Sequence, residues 1–102
     1  MVIRQMHANQ AKHVELREAL ILLDARGYGL EAEKLYQRLL QNVSQLSNKS
    51  LLEDFQRTRG LVDPRREQPD NPLWRYHWTV SNELEKRSES TLVRARKLAG
   101  HP

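Results

Sequence analysis

Residues 30–46, "LEAEKLYQRLLQNVSQL", carry apolar side chains at a repeat that suits a helix and nothing else. Ala32, Leu35, Tyr36, Leu39, Val43 and Leu46 recur at spacings of three and four. At about 100° per residue that places them on one stripe. Glu31, Lys34, Arg38 and Gln41 take the opposite face. A half-buried strand needs strict alternation instead, no stretch of the chain alternates cleanly over enough residues, and β-branched residues are sparse. The chain therefore reads as all-α.

Three further helices follow from the same rule. The first is expected over about 3–26, where Leu16, Ala19, Leu20 and Leu23 share one face and Ile21 and Leu22 widen it. "RGYG" then breaks the pattern, with Gly27 suited to the left-handed position after a helix end. The short connection to the second helix implies an antiparallel hairpin. The third is expected over about 51–59, opened by a capping box between Ser50 and Glu53, with Leu51, Leu52 and Phe55 facing inward. Gly60 would end it, with Leu61 making the apolar contact of a C-cap. Residues 62–71, "VDPRREQPDN", read as a loop because proline, aspartate and asparagine crowd out regular structure. The fourth helix starts with Asn71 as cap and Pro72 in its first turn, runs to about Leu98 and stops at Gly100. Leu73, His77, Val80, Leu84, Ala95 and Leu98 fall in one sector of it. Trp74 and Leu92 flank one side, Tyr76 flanks the other, Trp78 lies further round, and Arg75, Lys86 and Lys97 point away. The expected architecture is a compact four-helix domain over 1–102: an N-terminal antiparallel hairpin, a short third helix, and a long C-terminal helix packed on them.

With 102 residues and 38% hydrophobic content, the core is modest, and binding a partner or self-association would help to stabilise it. No apolar run approaches the roughly 18 residues of a membrane span. There is no cysteine, hence no disulfide framework and no thiolate chemistry. The first ten residues carry no apolar stretch of signal-peptide type, which makes the cytoplasm the expected compartment. The net charge is +4, of which +1 falls on residues 1–53 and +3 on residues 54–102. That balance permits an acidic partner, nucleic acid included, without demanding one.

Both tryptophans fall in "NPLWRYHWTVSNELEK", residues 71–86. Two readings compete for this cluster. In one it supplies core volume to a domain with a single phenylalanine. In the other, Trp78, Tyr76 and Arg75 form an exposed platform for stacking bases or docking a peptide. Spacing favours a split, with Trp74 and His77 inside and Trp78 at the rim. Arg57, Arg59, Arg65 and Arg66 lie within ten residues, diluted by Asp54, Asp63 and Glu67. They suit either a solvated charged loop or contacts to phosphate or an acidic protein surface. Arg94, Arg96, Lys97 and His101 follow the last acidic residue, Glu89. They fit the favourable end of a helix dipole or a second basic patch, and Val93 on the outer face hints at an oligomer contact.

Two resemblances are partial. "QNVSQLSNKSLLEDF" is similar to the turn and second helix of a helix–turn–helix. Asn42 stands where a glycine usually makes the turn, Asn48 occupies a normally buried position, and Glu53 and Asp54 would face the nucleic acid. Leu16, Ala19, Leu20, Leu23, Gly27, Ala32, Tyr36 and Leu39 are spaced as in a single tetratricopeptide-type repeat. Leu20 is large where that family has a small residue, Ser44 stands near its terminal proline, and no second copy follows. A packed hairpin of any origin shows much the same spacing; the resemblance mildly implies protein binding.

The four histidines include no i, i+4 pair, and no HExxH, glycine-rich phosphate loop or nucleophile elbow is present. The expectation is a protein without enzymatic activity, metal or cofactor. It would dock on a larger protein or complex as adaptor, inhibitor or regulator, using Arg57, Arg59, Arg65, Arg66, Arg75, Tyr76 and Trp78. Binding of DNA or RNA through the same surface is the alternative, and a homodimer is compatible with the pattern.

Overall fold

The computed structural model describes the backbone of residues 2–63 and 65–98 and the side chains of residues 11–63 and 65–88. Among the described residues there are four α-helices and no strand: α1 (Val2–Ala25), α2 (Gly29–Leu40), α3 (Asn48–Arg59) and α4 (Pro72–Leu98). A 3₁₀ turn at Val43–Gln45 joins α2 to α3. The side chains of Leu92, Val93, Ala95 and Leu98, those of the C-terminal basic group, and the stop expected at Gly100 lie outside the described residues.

α1 ends as its sequence predicts. Gly27 has φ of 77°, its N–H donates to the Asp24 carbonyl at 3.1 Å, and the Tyr28 N–H donates to the Leu23 carbonyl at 3.0 Å. This paired ending satisfies carbonyls that the helix leaves open, and it needs a residue tolerant of positive φ. The reversal lays α2 back against α1. Ala32, Leu35, Tyr36 and Leu39 are buried as their spacing requires.

α2 is shorter than expected. It stops at Leu40, and the chain tightens into i→i+3 bonds, Gln45 N–H to the Asn42 carbonyl at 3.0 Å and Leu46 N–H to the Val43 carbonyl at 3.2 Å. Asn42, Val43 and Ser44 are weak helix formers for separate reasons, side-chain competition for the backbone and β-branching. The tighter winding keeps Val43 buried and Leu46 against the core while turning the chain into α3.

α3 begins earlier than expected. Its cap is Ser47, whose Oγ accepts the Ser50 N–H at 3.1 Å, so Ser50 lies within the helix and the Ser50–Glu53 box is not its start. The inward face is Leu51, Asp54, Phe55 and Thr58, spaced i, i+3, i+4, i+7. Leu52, expected inside, is 48% exposed. Gly60 is right-handed, with φ of −79°, and Leu61 lies exposed rather than closing a C-cap. At α4 the expected cap is present: Asn71 Oδ1 accepts the Trp74 N–H at 3.0 Å, with Pro72 in the first turn. Asn71 also donates through Nδ2 to Asp24 at 2.8 Å, which ties the end of the loop to the end of α1.

α1 packs mainly on α2, and α3 on α4, with α4 also lying along α2. Leu20, Ala32, Leu39, Leu51, Leu73 and Val80 form the centre of the core, and Leu16, Ala19, Leu84 and others pack around it. α3 runs alongside α1 in the same direction, since His13 and Arg17 meet Asp54 while Glu18 meets Arg57. α4 runs against α3: His77 meets Thr58 at one end and Arg87 meets Asn48 at the other. Among the described residues, no helix is long and apolar enough to cross a membrane.

Candidate docking surface and buried charge network

The residues expected to form one contact surface divide into three groups. Trp78 is 39% exposed at the rim of α4, where its spacing places it, and Trp74 is half-buried beside it. Arg59, Arg65 and Arg66 are exposed, and among the described residues none of their guanidinium groups meets a carboxylate. Asp63 is occupied with the backbone here: its Oδ1 accepts the Arg65 N–H at 2.9 Å.

The second group is exposed or half-exposed but paired. Arg57 Nε donates to Glu18 at 3.0 Å, bridging α3 to α1. Arg75 grips Glu33 of α2 with both terminal nitrogens and lies over the Tyr36 ring, 4.7 Å from its centroid. The hydrogen bond from Arg75, supported by one from Gln37, holds the Glu33 carboxyl below its ordinary range. Arg75 is thus a clamp between α4 and α2, with its charge already matched.

Tyr76 forms the third group alone and is a correction. It is 0% exposed, in the core rather than on a platform. The flank of α4 on which it sits is covered by α3 and α1, and its hydroxyl donates to Asp54 Oδ2.

Asp54 is the centre of a network that no motif in the sequence announces. It is 1% exposed. His13 Nε2 donates to Oδ2 at 2.6 Å and Arg17 Nη1 donates to Oδ1 at 2.9 Å. Burial by itself raises this carboxyl; the hydrogen bonds from His13 and Tyr76, the charge of His13 and the hydrogen bond from Arg17 outweigh it and hold Asp54 below the usual carboxylate range. Tyr76 responds in the opposite sense, pushed far up by burial and by the Asp54 charge. A buried charge persists only when paired and hydrogen-bonded in this way. Arg17 Nε and His13 Nδ1 have no partner. The clue in the sequence is spacing: His13, Arg17 and Leu20 share one face of α1, and Leu51, Asp54 and Thr58 one face of α3.

The backbone of Asp54 continues the chain of contacts outward. Thr58 Oγ1 donates to the Asp54 carbonyl at 2.8 Å. That uses its one hydrogen, so His77 Nδ1–H donates to Thr58 Oγ1, at 2.7 Å. The His77 ring stacks on Phe55 with centroids 5.1 Å apart and meets Trp78 edge-on at 5.7 Å. Trp78 in turn meets Trp74 edge-on at 6.1 Å. Burial first, and the nearby Arg59 charge second, lower the pKa of His77 and keep it neutral. Phe55, His77, Trp78 and Trp74 therefore form one aromatic ladder across α3 and α4, with Trp78 as its exposed rung and the Arg59 charge acting on His77 within it.

Among the described residues, no group of three or more His, Asp and Glu side chains converges to hold a metal ion. Of the two acidic residues expected to face nucleic acid from α3, Asp54 lies on the inward face and Glu53 is exposed. Comparison with protein-family models, curated proteins and solved structures finds no match.

Proposed function

We propose that this protein is a small non-enzymatic binding protein that docks on a larger protein or complex through the α3–α4 face, with Trp78 as apolar anchor and Arg59 as the adjacent cation. The observation that carries the reading is the state of Trp78: a large aromatic side chain more than a third exposed, backed by a stacked ladder that fixes its orientation. Tryptophan and arginine are both among the residue types enriched at the energetic centres of protein interfaces. Arg65 and Arg66, on the loop that follows α3, would reach acidic groups at the rim of such an interface. Arg57, Arg75 and Tyr76 serve the fold instead.

Nucleic acid is the second reading, favoured by one observation: the three guanidinium groups of Arg59, Arg65 and Arg66 are unpaired among the described residues. Bases stack on exposed aromatic faces flanked by cations.

Tryptophan fluorescence with short random-sequence DNA and RNA, at low and near-physiological salt, separates the two. Quenching that requires Trp78 and fades steeply with salt selects nucleic acid, because each neutralised phosphate releases counterions. The docking reading expects no such response. It also expects a protein partner captured by wild type at physiological salt to be lost from folded Trp78→Ala and from Arg59→Gln. Equal capture by both variants would remove the α3–α4 face from the reading.

A further inference from the structure

Leu52 is a large apolar side chain left 48% exposed on α3, and its position relates it to Trp78. Leu52, Phe55 and Arg59 fall at i, i+3 and i+7, which makes them one ridge of the helix. Phe55, in the middle of that ridge, stacks on His77, and His77 meets Trp78. The ridge therefore borders the aromatic ladder, with Leu52 about one turn before Phe55 and Arg59 about one turn after it. The face between α3 and α4 is an apolar strip of Leu52, Phe55, Trp78 and Trp74, with a cation at one end.

Charge is sorted at that end. α3 stops at Arg59, and the loop that leaves it carries Arg65 and Arg66. All three arginines are exposed, and none makes an ion pair among the described residues. The acidic residues of the loop are engaged elsewhere. Asp63 Oδ1 accepts the Arg65 N–H, and Glu67 and Asp70 line a recess with Asp24 and Gly27 beside the turn between α1 and α2. A second copy of the chain on this face would set the same cations against each other in a symmetric pair, and like charges across an interface are costly. Bases stack on aromatic faces, whereas a half-exposed leucine offers only aliphatic surface. An apolar strip closed by unmatched cations suits an amphipathic helix that lays its apolar side in the groove and carries acidic residues at one end.

We propose that the α3–α4 face takes an acidic amphipathic helix of a partner protein, with its apolar side chains on Leu52 and Trp78 and its carboxylates on Arg59, Arg65 and Arg66. This rests on the docking reading above and adds to it the chemistry of the partner.

Fluorescence titration of the full chain with two synthetic helical peptides tests it. Both carry leucine at i, i+3, i+4 and i+7; one has glutamate at the remaining positions and the other glutamine. The glutamate peptide should bind at one saturable site. The glutamine peptide should bind at least about ten-fold more weakly, since each exposed ion pair contributes up to about five-fold. Leu52→Ala and Arg59→Gln change exposed residues and should leave the fold intact. Each should weaken the glutamate peptide about five-fold, and Trp78→Ala about thirty-fold. Arg38→Gln removes a charge from the exposed side of α2 and should have no effect. Amide shifts on wild type should centre on residues 52–59, 65–66 and 74–78. Equal binding of the two peptides, with Trp78→Ala still weakening both, overturns the acidic partner and leaves the docking reading in place. Binding that ignores Leu52, Arg59 and Trp78 alike removes the face, and both readings with it. No saturable binding of the glutamate peptide overturns the proposal, and short single-stranded DNA that binds through these residues where the peptide does not assigns the face to nucleic acid instead.

Discussion

Replacing Asp54 by asparagine keeps the size of the side chain and removes its charge, which leaves the buried Arg17 guanidinium with only the more distant, partly exposed Glu18 carboxylate at 3.8 Å. Breaking a buried pair from one side in this way costs about 3 kcal/mol or more. Tyr76→Phe removes a single hydroxyl and keeps the ring, so about 1–2 kcal/mol is expected. Urea unfolding of the two variants should therefore rank Asp54→Asn well below Tyr76→Phe, and Tyr76→Phe below wild type. An Asp54→Asn variant within 1 kcal/mol of wild type would show that the network adds little net stability. At this scale the sequence was legible where a residue's role is local. Asn71 as a cap and Trp78 at the rim follow from their own neighbours. Tyr76 was not legible, because its burial depends on which helices cover the flank of α4. Asp54, Arg17 and His13 stand at inward spacings, but charged side chains are discounted from a core until their partners are known, and the partners of Asp54, namely His13, Arg17 and Tyr76, lie 41, 37 and 22 positions from it in the chain.

Helix ends provide the sharpest test at the level of elements, because two glycines in similar sequence positions differ in backbone conformation. Gly27 has φ of 77° and Gly60 has φ of −79°. A Cβ built at either position meets nothing within 4 Å, so crowding plays no part and the backbone alone decides. Gly27→Ala should destabilise by about 1–2 kcal/mol, the cost of a left-handed alanine. Gly60→Ala should stabilise by about 0.4–1 kcal/mol through the unfolded chain. Thermal unfolding followed by circular dichroism reads the opposite signs directly, and equal signs would contradict the conformations. The four helices themselves were legible from the spacing of apolar residues, and so was the left-handed end of α1. The early stop of α2 was not, since the apolar stripe runs on through Val43 and Leu46 while the winding tightens beneath it. The start of α3 was not legible either, because Ser47 and Ser50 both have a side chain able to cap, and in the fold it is Ser47 that accepts the Ser50 N–H.

Across the whole molecule the titrating groups act at opposite ends of the pH range. Asp54, Glu33 and His77 all have pKa values lowered on folding, so the unfolded chain binds more protons than the native one as the pH falls. His77 acts first. Its contribution is intact above the ordinary histidine value of about 6.5 and is lost as the pH drops through its lower native value. The carboxylates follow below about pH 4. Tyr76 is raised, so the native state keeps a proton that the unfolded chain releases above about pH 10, and that contribution fades as the pH climbs further. The melting temperature should thus be level between about pH 7 and 9, fall on the acid side in two stages, and fall again on the alkaline side. The variants assign the limbs. The gap between wild type and Asp54→Asn should narrow below about pH 4, where the wild-type carboxylate loses its advantage. The gap between wild type and Tyr76→Phe should narrow above about pH 10, because the variant has no phenol to titrate at that position. A gap that stays constant in either window would mean that the corresponding group carries the same proton in both states. Its place in the buried network between α1, α3 and α4 would then have to be redrawn.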